Sequence, residues 1–162
     1  MVTAEMLSEE MPTVAGFDGF HRANRDRLYR ALVMTTRDPD VASEAVDEAM
    51  SRAAERWKII GTYAAPEGWV YRVALNWARS VFRRRKPLPR SSGLVWDALP
   101  DPDVTRAVAA LPYKLRVVVV TRYYLDWSNP QIAEGLDIPL GTVKSRLHRA
   151  LEHLGENLGG TA

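Results

Sequence analysis

Apolar side chains recur along this chain mostly at three- and four-residue offsets or their sums, the repeat that places them on one face of an α-helix. From Phe17 to about Thr35 the positions are Phe17, Phe20, Leu28, Leu32 and Val33, which predicts one amphipathic helix. A turn follows at Arg37, Asp38, Pro39 and Asp40, where Asp38 or Asp40 can serve as N-cap. Val46, Met50, Ala53 and Trp57 then mark a second helix from Val41 to Trp57. The loop Lys58 to Pro66 leads to a third, running from Pro66, a favoured first-turn residue, to about Arg85. Val70, Val73, Ala74, Trp77 and Val81 make its buried side. Nothing in this block alternates with the period of two that a strand requires.

The pattern breaks between Lys86 and Arg106, where nineteen residues hold four prolines, a glycine and a serine pair. This reads as an interdomain linker, able to span up to ~60 Å if extended. Leu94, Val95, Trp96 and Leu99 are apolar for a linker and are expected to dock on a surface. Periodicity returns with a short helix from Val104 to Leu111, stops at Pro112, and resumes through YKLRVVVVTRYYL. Four consecutive valines are compatible with a strand, but Leu115, Val118, Val119 and Tyr123 share one helical face, and local β-propensity is a weak guide.

From Asp126 to Leu154 the pattern predicts a helix-turn-helix. Ser128 with Gln131 three residues on makes a capping box, and Pro130 sits in the first turn, where its missing N–H costs little. Ile132, Ala133 and Leu136 face inward, Gly135 to Leu140 provides the turn, and Ile138 fills the space between the helices. In the second helix, Gly141 to Leu154, the positions Val143, Leu147, Ala150, Leu151 and Leu154 cluster on one side. Thr142, Ser145, His148, Arg149 and Glu152 point the other way, with Lys144 and Arg146 on the flanks. Such a face fits the major groove of DNA, arginine suiting the two acceptors of guanine and the flanking cations suiting phosphates. A polar helix face alone is commonplace. The capping box, short first helix, tight turn and cationic second helix together are what point to DNA.

Charge hardly suggests a nucleic-acid binder until it is divided along the chain, because the formal net charge is only +2. Residues 1–86 hold 14 basic and 12 acidic side chains, 87–105 hold 1 and 3, and 106–162 hold 7 and 5, so two slightly basic blocks flank an acidic connector. The third helix concentrates the positive charge. Opposite its buried side, Trp69, Arg72, Asn76, Arg79 and Arg83 align on one stripe, pairing cations for phosphates with an amide and an indole that can engage unstacked bases. Cysteine is absent, so disulfides, thiolate zinc sites and cysteine nucleophiles are excluded, and neither metal nor cofactor is expected. The first residues, MVTAEMLSEEMPTV, lack the basic flank and apolar core of a signal peptide, and no apolar run approaches ~18 residues. A soluble, cytoplasmic chain without membrane insertion is expected.

Three phrases, ASEAVDEAMSRAAERW, PEGWVYRVALNWARSVFRRR and LPYKLRVVVVTRYYLDWSNPQIAEGLDIPLGTVKSRLHRALEHL, in that order and separated by a linker, resemble the extracytoplasmic-function (group IV) sigma factors of the sigma-70 family. The resemblance covers roughly residues 17–155. It implies an all-α protein of two small helical domains without catalytic activity of its own, which brings RNA polymerase core to promoter DNA. A tail at 1–16 would precede a sigma-2-like domain at 17–86. A linker at 87–105, a sigma-4-like helix-turn-helix domain at 106–157 and a tail at 158–162 would follow. Glu44, Val46, Asp47, Glu48, Met50 and Arg52 would lie at or near the polymerase clamp. The third helix and the loop before it would recognise and melt the −10 element through Trp69, Arg72, Asn76, Arg79 and Arg83, with Asn76 beside a flipped-out base. The −35 element would be read by Thr142, Lys144, Ser145, Arg146, His148 and Arg149. The resemblance also implies control by a separate anti-sigma factor. Asp47 stands where the family usually has glutamine, and Ser80 where an aspartate often follows the asparagine by four.

Two other classes compete. A stand-alone helix-turn-helix regulator would account for the C-terminal block, but it leaves the Trp/Arg/Asn stripe of the third helix unused. An enzyme would need a phosphate loop after a strand, or a serine, histidine and acid in a recognisable arrangement, and the sequence has neither.

Overall fold

A computed structural model of the protein describes residues 14–84 and 101–159, with side-chain burial defined for 16–84 and 101–156. Most of the N-terminal tail, Arg85, Lys86, the connector from 87 to 100 with its Leu94, Val95, Trp96 and Leu99, and residues 160–162 lie outside the described residues. The chain is all-α, and no strand occurs among the described residues. Helix α1 spans Val14–Thr36, α2 Pro39–Glu55, the single turn α3 Trp57–Ile60, and α4 Pro66–Arg84. Then come α5 Pro102–Ala110, α6 Tyr113–Val119 with a π-helical extension Val120–Tyr124, α7 Asn129–Leu136 and α8 Leu140–Gly159.

Two of these helices start by the same device. The Asp38 carboxylate accepts from the N–H groups of Asp40 and Val41, both at 3.1 Å, with Pro39 in the first turn of α2. Asp101 likewise accepts from Asp103 and Val104, with Pro102 beside it, so α5 begins at Pro102 rather than Val104 and residues 102–105 of the expected connector are helical. Proline reads as a breaker in a sequence, but after a capping aspartate it is a preorganised first helical residue.

Two expected faces are rotated. The inward side of α4 is Val70, Tyr71, Ala74, Leu75 and Ala78, while Val73, Trp77 and Val81 are only partly buried at its edge. Tyr71 can be fully enclosed because its hydroxyl meets the Thr35 hydroxyl at 3.0 Å, which removes the cost of burying a phenol unpaired. After α6 the Leu125 N–H donates to the carbonyl of Val120, five residues back, at 3.0 Å. That extra residue in the turn shifts the helical phase. Tyr123, expected beside Leu115 and Val118, is therefore 59% exposed, and Thr121 and Leu125 are buried in its stead.

Helices α1, α2 and α4 pack on one another, and α5 to α8 form a second group. The two groups share one continuous apolar cluster. Arg116, buried within the valine run, donates Nε to the Thr35 carbonyl at 2.8 Å across the seam and Nη1 to the carbonyls of Ala109 and Leu111 at 2.9 and 3.2 Å. Arg27 reaches from α1 to the Leu125 carbonyl at 2.6 Å and the Tyr124 carbonyl at 3.4 Å.

Candidate nucleic-acid interface

The helix-turn-helix is built from its caps outward. The Ser128 N–H donates to Gln131 Oε1 at 2.8 Å and the Gln131 N–H donates to Ser128 Oγ at 3.3 Å, a reciprocal capping box that sets the start of α7. The turn is shorter than the segment Gly135 to Leu140, because Gly135 and Leu136 belong to α7 and Leu140 opens α8. Asp137, not glycine, takes the left-handed backbone position at φ 55° that ends α7, a conformation aspartate tolerates better than most side chains. The Ile138 N–H then returns to the Ala133 carbonyl at 3.0 Å, and Ile138 packs against the core.

On α8, Val143, Leu147 and Ala150 are buried, so the helix turns Lys144, Ser145, His148 and Arg149 to solvent. Thr142 and Arg146 are half-buried at the flanks. Leu151, expected inside, is 48% exposed, because the inward stripe is narrower than the apolar pattern. Two groups on the outward face bond along the helix itself: Ser145 Oγ donates to the Thr142 carbonyl at 3.1 Å, and His148 Nε2 lies 3.1 Å from Glu152 Oε1. Lys144 and Arg149 form no ion pair among the described residues.

The stripe on α4 is a second polar face. Asn76, Arg79 and Arg83 are exposed, whereas Trp69 and Arg72, nearer its N-terminal end, are half-buried. The difference comes from what lies against them. Trp69 and Arg72 line a cavity of about 340 Å³ whose opposite wall is Trp127, Gln131, Glu134 and Gly135, with Tyr63 from the preceding loop at its side. The loop itself is partly ordered into α3, whose Trp57 and Ile60 are buried while Ile59 is 62% exposed. Further along, Arg79 lies close enough to Tyr113 to lower its pKa, against the stronger upward push of burial on that phenol.

On α2, Glu44, Asp47 and Arg52 are exposed and Glu48 is half-buried. Val46 and Met50 cannot join them at a surface. They are 0% and 2% exposed, one helical turn apart on the stripe facing α1 and α4, so they support the face from beneath. Asp47 accepts from Arg25 Nε and Nη2 at 3.1 and 2.9 Å, and Glu48 pairs with Arg52 at 3.0 Å. On α4, Ser80 accepts from Arg84 Nη2 at 3.0 Å, one turn along the same helix. Among the described residues no group of three or more histidines and acids is placed to hold a metal, and no helix is long and apolar enough to cross a membrane.

Of the residues that join the two groups, Arg27, Arg116, Trp127 and Gly68 are not singled out by the sequence pattern, and Gly135 is singled out only as part of the turn. One signal for Arg116 was available: a cation set between Leu115 and four valines on a helix must find buried acceptors.

Residues 103–154 match the family described as sigma-70, region 4. The chain is 31% identical over 157 residues to the RNA polymerase sigma-E factor of Streptomyces coelicolor, covering 91% of this chain and 89% of that one. It is 35% identical over 141 residues to the ECF RNA polymerase sigma factor SigL of Mycobacterium tuberculosis, covering 78% and 80%. Among solved structures, the sigma factor RpoE in complex with the anti-sigma factor NepR from Bartonella quintana superposes with a TM-score of 0.70 over 88% of this chain and 96% of that one. At 19% identity this supports the fold alone.

Proposed function

The chain belongs to the extracytoplasmic-function group of RNA polymerase sigma factors, and from that premise we propose how its helices divide the work of promoter-specific transcription initiation. Helix α8 reads the −35 element: Lys144, Ser145, His148 and Arg149 reach base edges or phosphates, with Thr142 and Arg146 at the flanks. Helix α4 and the loop before it engage and open the −10 element, the cations of Arg72, Arg79 and Arg83 following phosphates while Asn76 and Trp69 meet unstacked bases. Glu44, Asp47, Glu48 and Arg52 on α2 form the docking face for the polymerase clamp.

The observation that carries this reading is the pair of outward polar faces on two separate helices, α8 and α4. A stand-alone regulator needs only the first. The protein acts in the cytoplasm without turning over a substrate, and its activity is held in check by a separate anti-sigma protein, as the RpoE chain of the solved complex is bound by NepR.

The test is transcription in vitro with purified core polymerase on a promoter library. A subset of promoters sharing −35 and −10 sequences is expected to yield discrete transcripts only when the protein is added. No promoter-specific transcript and no complex with core would overturn the reading.

A further inference from the structure

The face of α2 that carries Glu44, Asp47 and Glu48 gathers acids at three- and four-residue spacing, an arrangement that like-charge repulsion disfavours unless cations answer it. Arg52 answers Glu48 from the same helix at 3.0 Å. The cation for Asp47 comes from a different one. Arg25 of α1, 22 positions earlier in the chain, donates Nε and Nη2 to the same carboxylate oxygen, Oδ1, at 3.1 and 2.9 Å. Its guanidinium also lies over the Tyr29 ring, one turn along α1, at 5.9 Å from the centroid.

This pair is ordered but not used up. With Oδ1 taken, Asp47 Oδ2 accepts from no group among the described residues. Arg25 Nη1 has the Asp26 carboxylate near it at 3.9 Å, beyond hydrogen-bond reach. The Arg25 side chain is 28% exposed and that of Asp47 59%, so the pair keeps both an acceptor and donors for a partner. An exposed ion pair of this kind adds little to stability. What it supplies is orientation. Stacking on Tyr29 and the two bonds to Oδ1 restrict a long side chain and a carboxylate that would otherwise be ordered only on binding, at a cost to affinity.

We infer that Arg25 is a positioning residue of the polymerase docking face, which thereby extends from α2 onto α1. It holds Asp47 so that Oδ2 is presented to a hydrogen-bond donor on core, a cation or an amide, while its own remaining N–H groups are offered to an acceptor. The inference rests on the reading of α2 as that face. Val46 and Met50, buried beneath, fix the helix that carries Asp47, and Arg25 fixes the side chain itself. Without Arg25 the carboxylate would stand unpaired beside Glu44 and Glu48, free to turn among its rotamers.

The test is the affinity of the full chain for purified core polymerase, measured by titration. Arg25→Ala and Asp47→Ala are each expected to weaken core binding roughly three- to tenfold. The double variant should lose no more than the weaker of the two, because the side chains act as a unit. Melting temperatures should hardly move, which separates docking from folding. Exchanging the charges, Arg25→Asp with Asp47→Arg, reunites an ion pair but reverses which helix offers the acceptor and which the donors. Core binding by the exchanged protein is expected to stay low. Wild-type affinity there would mean that the pair only ties α1 to α2, and would overturn the inference. Unchanged binding by Arg25→Ala, or losses that multiply in the double variant, would overturn it as well. Arg52→Glu, on the same face but outside the pair, tells this failure from that of the docking reading. If Arg52→Glu weakens core binding and Arg25→Ala does not, the inference fails while the docking face stands. If neither they nor Asp47→Ala alter core binding, the docking face lies elsewhere and the inference falls with it.

Discussion

Tyr71 heads the fully enclosed side chains by size, and its hydroxyl shares a buried pair with Thr35, whose own hydroxyl donates to the Ala31 carbonyl at 2.8 Å. Burial disfavours the phenolate and pushes the Tyr71 pKa well above its ordinary 10.0, only partly opposed by the Thr35 hydrogen bond. The unfolded chain, with an ordinary tyrosine, releases this proton first as pH rises. The stabilising preference for neutral Tyr71 is therefore intact below about pH 10 and declines above it, by up to ~1.4 kcal/mol per pH unit. Tyr71→Phe should cost about 1 kcal/mol at neutral pH, since Thr35 keeps its backbone acceptor. It should also flatten the alkaline loss, as read by denaturant midpoints between about pH 9 and about pH 11. Tyr113, whose pKa burial also raises, supplies part of the slope that remains. None of this was legible in sequence. Tyr71 sits next to Arg72 in a basic helix, and only the Thr35 hydroxyl, 36 residues away, makes the ring a core residue.

Elements with their own local signals were legible. The capping box at Ser128 and Gln131, the proline after Asp38, and the three- and four-residue apolar repeats each act within one or two turns, so the sequence contains the whole cause. What the pattern did not give were two phases: the rotated face of α4, set by the distant Thr35, and the position of Tyr123, moved outward by a π-turn whose extra residue no local motif marks. On the reading helices the predictions divide by role. Arg149→Ala should relax preference at one or two −35 positions by ~1 to 3 kcal/mol, measured as relative transcription across a randomised −35 library, whereas a uniform loss would mark it as a phosphate contact. Asn76→Ala should slow opening of the −10 region, followed by reactivity of unpaired thymines to permanganate, more than it weakens formation of the closed complex.

For the whole molecule, what matters is how the two groups are coupled. Sequence composition suggested independent domains on a proline-rich tether, and a chain built so would unfold in two steps. Arg116 argues otherwise. It is 8% exposed, and its guanidinium bonds three carbonyls, two from its own group at Ala109 and Leu111 and one from α1 at Thr35. A buried cation held by carbonyls is stabilising only while all of them stay in place, so each group's folding supports the other's. The wild-type chain should therefore unfold in a single calorimetric transition. Arg116→Ala strands three acceptors and should cost on the order of 3 kcal/mol. It should also split that transition into two steps, one for each group, because the side chain that bonds both is gone. Arg27→Ala, which touches the other group alone, should weaken the coupling with a smaller loss of total stability. If Arg116→Ala still melts in one transition at the wild-type temperature, the seam does not couple the groups through this side chain.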